Sequence, residues 1–572
     1  MQTFSRAVEL AADRAAQPSE DDVLAALAPR FALGPAGRPR TMHRTWLDTF
    51  DWRLHRAGLT LEYVTGPRPA ELVLASAAGD LVSQPAGRLS WPALMQDLPP
   101  GPVTAVIGPV AGIRALLAIA RATSAIQDLR VLNPDAKTIA WIRMDRTTVS
   151  QPAAAQLPAR LQVTAVRGYQ SQAERVGEML AAATGLDGPP VGPLDAALAA
   201  AGQRAEAYSN KVSAQLAPDM PARTALQVVL LQLLDTLEAN VAGTIRDIDT
   251  EFLHDLRVAV RRTRSALKLA GDVLPASLPA RFRPEFKWLG DLTTPTRDLD
   301  VYLLSYDEMT TALVSATPAE LEPFHAHLAR RRVIEQRSLA RGLRSARFSR
   351  LVCDWRAALT GLATSRGGER TADLAARRLR RAHRRVLREG RAIGPDSPAE
   401  QLHDLRKRCK ELRYLLEIFA SVFDPQAYQR ALKDLKGLQD CLGEFQDRQV
   451  QQQEIREFAD QMIADRALSP TPVPATAFLA MGELAGGIGH AQRRARDEFA
   501  GRFGEFASPA SDRRFQDLIA SAGQNRAGQN RAGQDRAGQS HSAGREQGAG
   551  QDRPGPGRAG QGRTGQEHGA GR

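Results

Sequence analysis

Cysteine, aromatic side chains and long apolar runs are all scarce in this 572-residue chain. Its three cysteines (Cys353, Cys409 and Cys441) are too few and too scattered for a disulfide framework or a four-ligand metal site. No apolar run approaches the ~20 residues that a membrane-spanning helix needs. The first residues include acidic side chains in place of the apolar core of a signal peptide. These absences predict a cytoplasmic protein and exclude the secreted, membrane-spanning and disulfide-stapled classes.

The residues that are present indicate a globular, multidomain protein with an anionic partner. A prior of one domain per ~150 residues allows two to four domains, and 43% hydrophobic with 24% charged residues is typical of globular chains. Basic residues outnumber acidic ones by 76 to 64, which gives a formal net charge of +12. Residues 1–200 are nearly neutral, so the basic excess lies further along the chain. Such an excess favours an anionic partner.

Changes of pattern divide the chain into a mixed part and a helical part. Residues 1–200 are predicted to form an α+β domain, and residues 201–220 a linker. From 221 to 510, apolar residues three and four apart predict an all-α bundle with two pseudo-symmetric halves, about 221–365 and 366–510. The predicted strands lie at 60–64, 71–75, 138–144 and 160–166, and a helix is predicted at 112–126.

Two further patterns concern prolines and the end of the chain. Prolines in the helical part, among them Pro284, Pro295 and Pro323, are expected at helix ends. From Ser521 the sequence repeats Ala-Gly-Gln-Asn-Arg and holds almost nothing apolar, so residues 521–572 are predicted to be a disordered tail. Its arginines either add weak attraction to a polyanion or serve solubility.

The helical part contains an internal repeat. An offset of 149 residues places Leu253–Arg257 on Leu402–Arg406, both of which read Leu-His-Asp-Leu-Arg. In the same ungapped register, 14 of the 49 positions from 253 to 301 are identical. A five-residue identity in a fixed register is hard to obtain by chance. We therefore predict a duplicated helical unit whose halves are related by a pseudo-two-fold axis.

Each copy of the repeat sets a basic row beside its buried row. One residue after each apolar position, rotated by ~100° around the helix, the side chain is basic. Half-buried cations in a row repel one another and lose hydration. No acidic row follows at matching spacing on the same helix. The rows are His254, Arg257, Arg261, Arg264 and Lys268 in the first copy, and His403, Arg406, Lys410 and Arg413 in the second.

Two explanations for these rows stay open. An external polyanion neutralises them, or carboxylates from other helices do so and leave Lys287 and Lys436 as ordinary salt-bridge partners. The first is favoured because both copies keep the same cationic positions while other positions differ. A further basic segment, Arg377–Arg388, points its arginines all round a helix, so most are expected to be solvated and some to border the groove. The carboxylates of the second explanation are Asp291, Asp298, Asp300, Asp440 and Asp447.

The repeated motifs resemble the CHAD domain, the conserved histidine α-helical domain, over roughly residues 220–510. His254-x-x-Arg257, Lys287-x-x-Gly-Asp and Arg297-Asp-Leu-Asp-Val301 are similar to its first half, and Leu402-His-x-x-Arg406 with Leu438-Gln-Asp to its second. The resemblance implies two helical bundles around a basic channel that binds inorganic polyphosphate, on polyphosphate granules. Carried over by position, the polyphosphate-binding residues are His254, Arg257, Arg261, Arg262, Arg264, Lys287, His403, Arg406, Lys410, Arg413 and Lys436.

The segment Trp46–Leu59 resembles CYTH (triphosphate tunnel) domains, which often precede CHAD domains. Those enzymes carry an ExExK signature on their first strand, whereas Ala7-Val-Glu9-Leu-Ala11 keeps one glutamate and no lysine. Gln162 and Thr164 stand on a late strand where carboxylates would be wanted. A divalent ion needs several oxygen ligands. We therefore predict a degenerate, catalytically inactive CYTH-like domain with no metal or cofactor, for which docking is an alternative role.

Three functions follow from these patterns. The first is non-enzymatic polyphosphate binding, because a linear phosphate chain matches spaced Arg, Lys and His donors. The second is a metal-dependent triphosphatase or cyclase in residues 1–200, against which the missing carboxylates count. The third is nucleic-acid binding by the basic helices and the tail. Few aromatic residues accompany the basic rows, which disfavours single-stranded nucleic acid.

Overall fold

The computed structural model describes residues 8–11, 19–34, 38–184, 192–269, 271–362, 368–465 and 473–522. The predicted disordered tail lies outside the described residues from 523 onward.

A ten-stranded antiparallel sheet forms the core of the N-terminal domain. The strand order is β1-β10-β8-β7-β3-β4-β5-β6, and the short strands β2 and β9 pair with β7 and β8. The predicted α+β class of this domain is thereby confirmed. The strands are β1 Val8–Ala11, β2 Ala32–Leu33, β3 Arg40–Thr49, β4 Leu59–Thr65, β5 Glu71–Ser76, β6 Leu81–Pro85, β7 Leu116–Leu132, β8 Thr138–Gln151, β9 Ala155–Gln156 and β10 Arg160–Ala165.

Five helices cover this sheet. The helices α1 and α4 bury Leu129 and Ile142, and α2 and α3 bury Leu61 and Leu72 at the other end. The helix α5 packs over Trp46, which is fully buried. Alternation of buried and exposed residues along the long strands supplies these apolar faces. The helices are α1 Glu20–Leu27, α2 Arg53–Arg56, α3 Pro102–Ala111, α4 Gln170–Thr184 and α5 Pro193–Ala200.

The prediction of a helix at 112–126 is wrong. The chain leaves α3 at Gly112, whose φ of +59° favours glycine, and enters β7 at Leu116. The alanines of this segment favour a helix, but its residues alternate between buried and exposed where β7 pairs with β3 and β8. Pairing on both edges outweighs the local preference.

The described residues between 222 and 520 lie mostly in helices, which confirms the predicted all-α class of this region. The long helices carry buried residues at three- and four-residue spacing, and their shared core extends through both halves of the repeat. The helices are α6 Ala222–Arg246, α7 Thr250–Leu269, α8 Ser277–Leu304, α9 Tyr306–Thr311, α10 Pro318–Leu343, α11 Ala346–Thr360, α12 Thr371–Arg391, α13 Ala399–Ile418, α14 Pro425–Asp465, α15 Ala475–Phe506 and α16 Pro509–Ala520.

Three prolines lie inside helices, contrary to the prediction that they end them. Pro284 and Pro295 lie within α8, and Pro323 lies within α10. A proline removes one backbone hydrogen bond from a helix. In α8, the deeply buried Phe282 and Phe286 flank Pro284, so tertiary packing holds the helix together there.

Contacts between equivalent residues lie on a pseudo-two-fold axis between the halves. Pro221 forms a β-bridge with Arg370, its own equivalent at the offset of 149, and Tyr302 Oη donates to the carbonyl oxygen of its equivalent Gln451 at 3.3 Å. Residues on a two-fold axis meet their own equivalents in this way. Two backbone hydrogen bonds of 2.9 Å that flank the bridge are images of each other: Ala222 N to Glu369 O, and Thr371 N to Met220 O.

The helices α7 and α13 cross at this axis through two ion pairs. Arg262 Nη2 lies 2.9 Å from Glu417 Oε2, and Lys268 pairs with Glu411. The offset of 149 makes Arg262 equivalent to Glu411 and Lys268 equivalent to Glu417. The first copy therefore supplies both cations of the crossing, and the second copy supplies both anions.

A buried arginine docks the N-terminal domain onto α7. Arg114 is 1% exposed and donates to Asp249 at 3.2 Å and to Asp255 at 2.5 Å. Tyr208 Oη and Asn210 Nδ2, from the segment before α6, also donate to Asp255, at 3.0 and 2.6 Å. Asp255 is the aspartate of the first Leu-His-Asp-Leu-Arg motif, so the domain contact lies beside the first basic row.

The docking contact breaks the symmetry of the repeat. Asp404, the equivalent of Asp255, is exposed and pairs with Lys407 one helical turn away. One motif residue thus has a buried structural role in the first half and a solvated position in the second.

One described helix, α6, is long and apolar enough to cross a membrane by length and composition. Half of its apolar window is buried within the protein, and Val229, Leu230 and Leu233 belong to the core of the helical bundle.

Candidate functional site

Six basic residues from both halves of the repeat form one connected group, here called the basic cluster. The positive charge of Arg261 acts on His254 and Arg257 in its own helix and on Lys410 across the axis. Arg261 and Lys410 are equivalents at the offset of 149, so the two predicted rows meet at the axis. The cluster comprises His254, Arg257, Arg261, Arg297, Arg406 and Lys410.

In the first half, Arg257 lies in a half-buried position with neutral partners. Its Nη1 donates to Thr293 Oγ1 at 3.1 Å and to Thr294 Oγ1 at 2.8 Å. Burial lowers the pKa of Arg257, and the nearby Asp298 acts in the opposite direction. No ion pair of Arg257 occurs among the described residues. Its charge is therefore desolvated by the fold without a direct counterion.

In the second half, the equivalent Arg406 has one exposed counterion. Its Nη2 lies 2.7 Å from Oδ1 of Asp447, whose side chain is 63% exposed. The Nε of Arg406 is buried without a hydrogen-bond partner. An exposed carboxylate holds a cation weakly, because water and salt compete for both groups. An incoming anion can replace Asp447 without opening the core.

Lys410 is the cluster member whose charge the fold disfavours most clearly. Burial, followed by the positive charges of Arg406 and Arg261, lowers its pKa to about 8. Lys410 has no ion pair within the described part of the chain. Desolvation and like charge both act against its ammonium form, and a bound polyanion would relieve both.

The two histidines have different neighbours. His403 Nδ1 lies 2.6 Å from Gln446 Oε1. At the equivalent position the first half has Arg297, and the pKa of His254 is lowered by burial first and then by the charge of Arg297. His254 is therefore held neutral at pH 7 beside a cation.

Sequence reasoning missed Arg297 as a member of the cluster. Its Nη1 is buried and has no hydrogen-bond partner, and its charge acts on both His254 and Arg257. The motif Arg297-Asp-Leu-Asp-Val301 already contained this residue. The comparison of the two copies did not select it, because its equivalent Gln446 is uncharged.

The remaining predicted residues lie around the cluster at more exposed positions. Lys287 pairs with Asp291 at 2.7 Å, and Arg413 pairs with Glu417 at 2.8 Å. The guanidinium of Arg264 lies against Gly290, where an added Cβ would stand 2.9 Å from its Nη1. Lys436 is exposed and makes no ion pair with any described residue.

Arg262 lies at the crossing of α7 and α13, apart from the basic cluster. Its side chain is 13% exposed, pairs with Glu417 and donates to the Asn210 carbonyl oxygen at 2.5 Å. The physical reason is its rotation of ~100° from Arg261 around the helix, which turns it towards α13. Arg262 therefore belongs to the interface between the halves. It does not lie among the ligand-facing residues, where it was predicted to be.

The carboxylates proposed as internal counterions neutralise the basic residues in part. Asp447 pairs with Arg406, and Asp291 pairs with Lys287. Both carboxylates are exposed to solvent. Asp300 instead pairs with Arg332 at 2.8 Å, outside the cluster. Burial raises the pKa of Asp298, against the lowering effect of Arg257 and Arg297, and Asp440 makes no ion pair with a described residue.

The N-terminal sheet presents a different arrangement of charge. Arg44 lies between Glu62 and Asp145, at 2.7 and 2.9 Å, and all three side chains are largely buried. Arg40 pairs with Asp128 nearby. In the register of the sheet, Glu9 stands opposite Gln162, so the first strand and the late strand are neighbours. Among the described residues, no group of three or more His, Cys, Asp or Glu could hold a metal ion.

Polyanion affinity is expected to fall as the pH rises from about 8 to about 10, the interval between the pKa of Lys410 and that of an ordinary lysine. A polyanion bound at the cluster would raise the pKa of Lys410, so binding would take up a proton in this interval and would weaken by at most ~10-fold per pH unit. Calorimetric titrations in buffers of different ionisation enthalpy measure the proton uptake. Lys410→Arg should flatten the profile, whereas Lys436→Arg should not; equal profiles for the two variants would contradict this assignment.

Comparison with known proteins identifies the helical region. Residues 228–456 match the family model of the CHAD domain. An uncharacterized protein of Mycobacterium tuberculosis is 29% identical over 214 residues, which are 36% of this chain and 39% of that protein. The match therefore spans less than half of that relative's length.

Solved structures resemble each of the two domains. The CHAD domain from the plant Ricinus communis is 25% identical, with a TM-score of 0.42, and the match covers 52% of this chain and 96% of that one. PptA from Streptomyces chartreusis is 19% identical, with a TM-score of 0.35, over 50% and 99% of the two chains. A putative adenylate cyclase from Bacillus halodurans is 12% identical, with a TM-score of 0.23, over 32% and 92%.

Proposed function

We propose that this chain, which carries a CHAD domain at residues 228–456, binds inorganic polyphosphate without catalysis, in the cytoplasm and on polyphosphate granules. The basic cluster and the exposed cations around it form the binding site. The observation that carries the proposal is the meeting of Arg261 and Lys410 at the pseudo-two-fold axis. There, equivalent cations from both halves are half-buried or lack an acidic partner.

The chemistry of this site suits a linear phosphate chain. Such a chain offers anionic oxygens at regular intervals and no base edges. Arginine engages two oxygens at once, and lysine acts as a point charge. The pseudo-two-fold arrangement presents similar donors in both directions along the ligand. A polymer that looks the same from either end matches this symmetry better than a ligand with a fixed polarity.

The N-terminal sheet is proposed to take no catalytic part. The position of Arg44 between Glu62 and Asp145 supports this, because a cation already held by two carboxylates is a poor ligand for a triphosphate. A triphosphatase assay of the full chain with magnesium or manganese tests the point, and metal-dependent hydrolysis would overturn it. The docking of this sheet through Arg114 supports a structural role.

Titration of the full chain with long-chain polyphosphate tests the proposed function, with double-stranded DNA at equal phosphate concentration as the control. We expect polyphosphate to bind more tightly than DNA. Affinity should fall steeply with salt, because each neutralised phosphate releases counterions. Binding of DNA or RNA in preference to polyphosphate would replace the proposal with the nucleic-acid alternative.

A further inference from the structure

The helix α12 carries a second, separate set of cations on its outer side. Six of its arginines fall within one sector of ~100° at the helical rotation of ~100° per residue. All six are exposed to solvent, whereas the opposite side of the helix, with Leu379 and Val386, is buried. This set, called the α12 arginine face, comprises Arg377, Arg380, Arg381, Arg384, Arg388 and Arg391.

Most of this face lacks counterions within the protein. Arg377 pairs with Glu369 at 2.6 Å and with Asp272 at 3.4 Å, and Arg388 approaches Glu389 at 3.6 Å. The other four arginines make no ion pair and no hydrogen bond with a described residue. In contrast, Arg378 and Arg385, which lie on the flank towards α13, pair with Asp272 and Glu389. Both inner arginines of α12 thus have acidic partners, whereas four of the six outer arginines have none among the described residues.

The duplication of the repeat does not account for this face. At the offset of 149, the helix α6 occupies the equivalent place in the first half. Its residues at the six equivalent positions include no cation. They are Val228, Leu231, Gln232, Asp235, Ala239 and Ala242. A cationic face present in one half alone is a feature of this chain beyond the duplicated site.

The α12 arginine face is also distinct in space from the basic cluster. Arg408 of α13 points towards α12, since its Nε lies 3.2 Å from Glu389. Arg406 and Lys410 are each two residues away from Arg408, which is a rotation of ~200° around the helix. The basic cluster therefore lies on the side of α13 opposite to α12.

The composition of the face identifies the class of ligand. Its six arginines extend over 15 residues of helix, a rise of ~21 Å, within a sector of ~100°. No exposed large apolar side chain lies on α12, which disfavours insertion into a lipid surface. No aromatic residue lies on α12 to stack bases. A narrow, extended row of bidentate donors matches a flexible chain of phosphates.

We propose that the α12 arginine face is a second binding surface for inorganic polyphosphate, so that a long chain contacts both this face and the basic cluster while a short chain contacts the cluster alone. This inference rests on the proposed function. Linking two contacts through one ligand raises the overall affinity without a new contact. The protein thereby distinguishes polyphosphate by its length.

The test compares two triple variants of the full chain that lose equal charge. The first replaces Arg380, Arg384 and Arg391 with glutamine. The control replaces Arg330, Arg337 and Arg341 on α10, which are also exposed and make no ion pair with a described residue. Fluorescence anisotropy measures binding of polyphosphates of about 100 and about 10 phosphates, where about 10 phosphates is taken as too short to reach both surfaces.

For the long chain, we expect the α12 variant to bind about 10-fold more weakly, with a salt slope reduced by about three. Its affinity for the short chain should match that of the natural sequence. The control should change long-chain affinity less than about 2-fold, as expected for charge outside the site.

Equal losses of long-chain affinity in the two variants would overturn the proposal of a second surface and leave the proposed function standing. An α12 variant that binds the long chain with normal affinity would do the same. The second surface is likewise rejected if the α12 variant loses duplex DNA binding and keeps long-chain binding. Failure of the natural sequence to bind either polyphosphate would overturn the proposed function itself.

Discussion

Replacing Arg257 and Arg406 together with glutamine is expected to weaken polyphosphate binding by about two orders of magnitude. The two residues are equivalents in the two copies of the repeat, and each is held half-buried at the edge of the basic cluster. A charge-assisted hydrogen bond contributes about 1.5–3 kcal/mol. Two such bonds therefore account for about 3 kcal/mol or more, and 1.4 kcal/mol corresponds to a tenfold change in affinity. Isothermal titration calorimetry at fixed salt measures the loss.

The control for this experiment is the double variant Arg330→Gln and Arg337→Gln, which removes the same charge from an exposed surface. Glutamine at position 257 retains a donor for Thr293 and Thr294, so the thermal unfolding temperature should change little. A double variant at 257 and 406 that is folded and binds with unchanged affinity would reject the basic cluster as the site.

Asp255→Asn is expected to destabilise the protein by about 3 kcal/mol, while Asp404→Asn should change its stability by less than about 0.5 kcal/mol. The two aspartates occupy the same position of the repeated motif. Asp255 is fully buried and holds Arg114 at 2.5 Å, and removing one charge of a buried pair is costly because the partner is left uncompensated. Asp404 is exposed, and isolated surface pairs contribute little.

Urea unfolding of the two variants measures this difference, and limited proteolysis between residues 192 and 220 reports whether the N-terminal domain has separated from α7. Asp255→Asn should expose this segment to cleavage under conditions where the natural sequence and Asp404→Asn resist it. Equal stability of the two variants would show that the Arg114 contact does not hold the domains together.

The duplicated architecture could be predicted from sequence because it rests on identity at a fixed spacing. The register of 149 residues found from Leu253 to Val301 extends in the structure to Pro221 and Tyr302, whose contacts lie on the pseudo-two-fold axis. Helical periodicity likewise located the basic rows, since a rotation of ~100° per residue fixes which side chains share a face. These features depend on local spacing alone.

The features that could not be predicted depend on contacts between helices or strands that are distant in the sequence. Arg262 turned out to pair with Glu417 because α7 crosses α13, and no pattern within one helix indicates that crossing. The segment 112–126 has residues that suit a helix, but it lies between two strands of a sheet. The arginines of α12 were expected to point all round the helix. In the structure the inner arginines pair with Asp272 and Glu389, and four of the six outer arginines make no ion pair with a described residue.

The division of charge at the crossing of α7 and α13 has a consequence for how the two halves recognise each other. Two copies of the first half brought together in this geometry would oppose Arg262 and Lys268 with the same two cations, and two copies of the second half would oppose Glu411 with Glu417. Each half therefore repels its own kind and accepts the other. If the polypeptide were cut between residues 362 and 368, the resulting fragments should reassemble as a one-to-one heterodimer, and neither should form a homodimer.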